Sequence, residues 1–129
     1  MSTSVSVPLA AVSAFAFSSV WYMAMTPVER RVLGPAAPNR GRPSPAKALL
    51  ELVRSLLVAA VVAGVARHSH LHSVGSAVLL GFVLWVGFPL VLLSGSTMWD
   101  KVPPVTALLH AGDWLVKLVV ISAIVGLSL

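Results

Sequence analysis

The chain has 129 residues, 57% of them hydrophobic and 10% charged, with nine Lys/Arg against four Asp/Glu and a formal net charge of +5. A soluble domain carries about 25% charged residues, so this composition, with a mean hydropathy of +0.93, excludes an ordinary water-soluble fold and points to lipid as the solvent. Cysteine is absent, which excludes a disulfide framework and a thiolate metal site.

Four apolar stretches are long enough for a hydrocarbon core of about 30 Å, which takes about 20 helical residues. The first is Val5–Met25. No Lys or Arg precedes it, so it lacks the basic start of a signal peptide. Ala10, Ala14 and Ser18 stand four apart on it as a small-residue face, and Trp21–Tyr22 read as an interfacial anchor. A linker over 26–45 follows, with Arg30, Arg31, Arg40 and Arg42, and Lys47 at its edge. Pro35, Pro38, Pro43 and Pro45, with Gly34 and Gly41, keep it from being helical throughout, so it is expected to be flexible or extended. Its arginines could hold anionic lipid headgroups, although topology alone accounts for them.

The second span is Ala46–Ala66, where Ala59/Ala63 and Ala60/Gly64 form two small-xxx-small pairs suited to helix packing. The short turn after it contains His68, His70 and His72, which alternation would place on one side of an extended segment. They are weak metal candidates, because no carboxylate or thiol stands close in sequence to complete a site. The third span, Val74–Ser94, carries Pro89, which cannot donate to the Trp85 carbonyl and should kink the helix. Pro103 and Pro104 suit the first turn of the fourth span, Val105–Leu127. Trp99 suits an aromatic belt, while Trp85 and Trp114 lie deeper and should pack between helices.

With four spans, the linker and the Ser96–Pro104 turn share one side, and that side holds six Lys/Arg against Arg67 alone on the other. The positive-inside rule then places both termini outside the cytoplasm of a multi-pass protein of the plasma membrane. A pI near 10.9 would otherwise suggest nucleic acid, but the charges are gathered beside membrane segments and no nucleic-acid partner is expected.

Charge inside the spans is the strongest pointer to a role. Each ionised group near a bilayer centre costs roughly 2.5–3.5 kcal/mol on insertion scales. His110, Asp113 and Lys117 are spaced three and then four apart, on one face of the fourth helix. Glu51 and Arg54 share a face of the second. At 1.5 Å per residue, Arg54 and Asp113 both lie on the order of 12 Å inside from the same side, so a Glu51–Arg54–Asp113–Lys117 cluster with His110 at its edge is expected. Two acids and two bases leave it formally neutral, as a dry core requires. Such a cluster can lock one helix against another, or it can move a proton, ion or polar solute. Alone, His110 reads as a hydrogen-bonded core residue rather than a relay. Nucleophile elbow, HExxH and phosphate-loop motifs are all missing, so no enzyme activity and no cofactor is expected.

Two stretches carry a resemblance. One is Trp21–Tyr22. The other runs from Gly81-Phe82-Val83-Leu84-Trp85-Val86-Gly87-Phe88-Pro89 through Trp99-Asp100-Lys101-Val102-Pro103-Pro104 to His110-Ala111-Gly112-Asp113-Trp114-Leu115-Val116-Lys117. Together they resemble the domain of unknown function 1761 family, small bacterial membrane proteins with four helices. The resemblance implies a fold and a membrane location and brings no activity. The expectation is one all-α domain over 1–129, an integral-membrane bundle of four transmembrane helices with the bilayer as its partner and room for a homo-oligomer or a larger membrane complex. Its leading role is structural or accessory, and the rival is a small transporter or channel-like protein.

Overall fold

The computed structural model describes the whole chain, Met1–Leu129, as helices joined by turns, without strands. Helix α1 spans Thr3–Leu33, α2 Pro45–His68, α3 Val74–Gly87, α4 Pro89–Trp99 and α5 Pro104–Gly126. The third span is thus α3 and α4 in series, Val74–Trp99, and four spans are long and apolar enough to cross a membrane. The protein is an all-α, multi-pass membrane bundle.

Local chemistry sets the ends. Gly34 stops α1 with φ 58°, a left-handed conformation in which its N–H still donates to the Arg30 carbonyl. Ser44 caps α2 by accepting from the Lys47 N–H at 3.2 Å, with Pro45 in the first turn. Ser73 and Ser76 form a reciprocal capping box at the start of α3. The α3–α4 break falls at Phe88 (φ −121°, ψ −78°), directly before Pro89.

The linker departs from expectation. Helix α1 runs on to Leu33, through Pro27, and a 3-10 turn over Gly34–Ala36 follows, so the first part of 26–45 is helical rather than flexible or extended. Proline removes one backbone donor, and burial of Thr26 and Glu29 against the bundle holds the helix together across that gap.

Helix α5 is the centre of the molecule and carries eleven of the 25 buried residues. It packs on α1 on one side and on α3 and α4 on the other, while α2 lies against α1 and reaches α5 with part of its length. Helices α2 and α3 scarcely meet. The α1–α2 seam is built from Ala10 and Ala14 against Ala59, Ala63 and Ala66, all at most 2% exposed. Small side chains there let the backbones approach closely. At the α3–α5 crossing a Cβ on Gly81 would run into Ser122 and the Leu118 carbonyl. Ala60 and Gly64 do not belong to any seam within the chain: both face outward, and a Cβ on Gly64 would meet nothing within 4 Å. The outer surface is otherwise large apolar side chains such as Phe17, Leu57, Leu79 and Leu108, the face that lipid covers.

Candidate functional site

The i, i+3, i+7 face of α5 brings His110, Asp113 and Lys117 to its boundary with α1 and α2. Lys117 is 5% exposed and is held twice: its Nζ lies 3.2 Å from Asp113 Oδ2 on its own helix and 3.1 Å from Glu51 Oε1 on α2. It also stands 5.0 Å from the centre of the Trp114 ring. Asp113, 2% exposed, accepts a hydrogen bond from Ser18 of α1. Glu51 Oε2 accepts from Arg54 Nη1 at 2.7 Å. The result is a chain of contacts, Ser18–Asp113–Lys117–Glu51–Arg54, that joins α1, α5 and α2.

Four of the expected residues are brought together in this chain, in an order that differs from the expected one. Arg54 does not reach Asp113; its side chain is 57% exposed and pairs only with Glu51, because its length carries the guanidinium out toward the surface. Lys117 makes the link between the helices instead. His110 lies one turn nearer the start of α5, where Nδ1 shares a 2.6 Å hydrogen bond with the Tyr22 hydroxyl.

A second ion pair was not anticipated. Glu29, fully buried in α1, takes Arg40 Nε at 2.8 Å and Nη2 at 3.1 Å, and also accepts from Thr106 Oγ1 of α5 at 2.8 Å. This bidentate geometry is the strong form of such a pair, and it holds the Arg40 guanidinium above its ordinary pKa. Arg40 also lies over the Tyr22 ring, 5.8 Å from its centre. The irregular part of the linker is thereby tied down onto the bundle, and Arg40 is engaged with protein rather than left for headgroups. The available signal was a polar stripe on α1, Ser18, Tyr22, Thr26 and Glu29 at spacings of four, four and three. It is legible only if the helix is carried past Met25.

Trp21 and Tyr22 turn inward onto α5 rather than outward to the surroundings. Trp21 Nε1 donates to the Leu109 carbonyl at 2.9 Å, and its ring fills the place that a Cβ on Gly112 would occupy. Both rings are half-buried against α5, whose glycine leaves a seat for one of them. Trp85 Nε1 donates to the Ala111 carbonyl at 2.8 Å, Trp114 borders Lys117, and Pro89 sits half-buried at the α3–α4 break. Trp99 is 80% exposed.

The three turn histidines do not converge. His68 is the last residue of α2 and His70 has φ 57°, so the alternation of an extended turn is broken. All three are exposed, and no group of three His, Cys, Asp or Glu side chains is placed to hold a metal.

Beside the ion-pair chain is a void of about 10 Å³, bordered by Glu51, Ser55, Trp114 and Lys117. That is space for about one water. The arrangement is thus closely packed, and each charged group in it has an opposite partner. Chemically it can fix helix register, and beside it Arg40, Tyr22 and His110 form a separate run of contacts that begins at Glu29.

A family model described as protein of unknown function (DUF1761) matches residues 5–126. No curated protein and no solved structure matches the chain.

Proposed function

Since the chain belongs to that DUF1761 family, whose description carries no activity, we propose a role from its own geometry: a structural or accessory protein of the plasma membrane whose buried ion pairs clamp the bundle. The reading rests on Lys117, which at 5% exposure takes one carboxylate from α5 and one from α2 while Asp113 is tied to α1. Two of these contacts, Ser18 to Asp113 and Lys117 to Glu51, cross between helices and exist only in the assembled bundle. Both termini lie outside the cytoplasm, and the outward Ala60/Gly64 face is available to a second copy or a larger complex.

Lys117→Met tests the clamp. It leaves Asp113 buried with Ser18 alone, and breaking a buried pair in this way costs about 3–5 kcal/mol. The expected result is a clearly lowered melting temperature in mild detergent, with sealed vesicles of the wild-type protein holding proton and ion gradients as well as empty ones. Unchanged stability sinks the clamp. The rival reading, a proton relay, draws on the contacts running from Arg40 over Tyr22 to His110. Gradient collapse that Asp113→Asn abolishes would establish it.

A further inference from the structure

Helices α2 and α3–α4 leave a lateral cleft between them of about 530 Å³, within the range of small-molecule sites. Its walls are Val61 on one side and Leu84, Phe88 and Leu92 on the other, with Trp114 and Leu118 of α5 as its floor. The α3–α4 break at Phe88–Pro89 shapes the far wall. The cleft is not uniformly apolar along its length. Val58 and Trp114 border both it and the small void at Glu51, Arg54 and Lys117, so a charged mouth adjoins the apolar slot. That mouth lies toward the linker end of α2, and the slot runs from there toward the middle of the bundle.

Hydrogen-bonding capacity at the mouth is unbalanced. The Glu51 oxygens are taken, one by Lys117 and one by Arg54. A guanidinium has five N–H donors, and Arg54 spends only an Nη1 donor within the protein while remaining 57% exposed. The unspent N–H donors of the exposed Arg54 at one end of an apolar slot are complementary to an amphiphile with an anionic head and a long chain.

We propose that the cleft seats one acyl chain of an anionic phospholipid drawn from the surrounding leaflet, with the lipid phosphate at Arg54. The second chain stays in the bilayer. Arg54 lies at the outer end of the clamp, and its polar contact is with Glu51 of its own helix, so the headgroup site can be altered without removing the Lys117 links between helices.

The test is native mass spectrometry of the full chain released from bilayers of equimolar phosphatidylglycerol and phosphatidylcholine. Wild type should retain phosphatidylglycerol preferentially. Arg54→Gln should cut that preference about fivefold, the effect of one basic residue near an anionic surface. Val61→Trp, which fills the slot from an exposed position, should release the bound lipid altogether while helical circular dichroism is kept. Retention without headgroup preference, or undiminished binding in either variant, overturns the proposal. So does a wild-type dimer that Val61→Trp splits without any change in bound lipid, since the occupant would then be a second copy.

Discussion

At the scale of single residues, the two ion pairs differ in what each partner can do once it is left alone. Glu29 is fully buried, whereas the Arg40 side chain is 25% exposed. Removing Arg40 strands a carboxylate that has only Thr106 left. Removing the charge of Glu29 frees a guanidinium that can turn to water. Arg40→Met should therefore cost about 3–5 kcal/mol, as for a broken buried pair. Glu29→Gln should cost less, about 1–3 kcal/mol, as for lost hydrogen bonds. Thermal denaturation of both variants checks the order, and equal effects would mean that the linker is not held by this clip. Glycines give a second contrast. Gly112→Ala drives a Cβ into the Trp21 ring and should cost about 1–3 kcal/mol by overpacking. Gly64→Ala meets nothing and should be neutral or stabilising by up to about 1 kcal/mol. A harmful Gly64→Ala in the bilayer would place a second helix on that face.

Among elements, the interrupted third span has the clearest local cause. Pro89 cannot donate to the Trp85 carbonyl, and Phe88 leaves helical geometry just before it. Pro89→Ala restores the donor and removes up to about 3 kcal/mol of helix-breaking cost. The expected outcome is a straighter α3–α4 rod and a changed separation between spin labels at Leu57 and Leu92, which are exposed on opposite sides of the cleft. An unaltered distance would mean that packing of α4 on α5 imposes the bend. Helix α1 shows the opposite balance. Pro27 offers an equally good reason to stop, yet the helix continues to Leu33 because Thr26 and Glu29 find buried places on α5. The break at Pro89 was readable from local chemistry, while the run through Pro27 depended on a partner far away in sequence.

For the whole molecule, the charge distribution predicts an orientation. Arg30, Arg31, Arg42, Lys47 and Lys101 are exposed on the linker side, with Arg40 partly so, against Arg67 at the other end. A reporter fused after Leu129 should be active outside the cytoplasm; cytoplasmic activity reverses the bundle. The exposed apolar surface and the four spans require a bilayer whichever way the chain is threaded.

What the sequence determined by itself was whatever depends on neighbours along the chain or on solvent. Hydropathy and length set the all-α membrane bundle. The spacing of His110, Asp113 and Lys117 put them on one face, and the prolines marked the entry to α5 and the bend in the third span. Tertiary structure decided which side chains meet. Only the packing of α5 at the centre shows that Lys117, not Arg54, reaches across to the other helix, and that Trp21 and Tyr22 turn inward. Only the same packing shows that Glu29 recruits Arg40 out of the linker. The physical reason is that a buried charge takes whichever opposite partner the fold brings within about 3 Å, since the alternative is an unpaired ion in a medium without water. That choice depends on helix rotation and depth to a fraction of a turn, which composition and periodicity do not resolve.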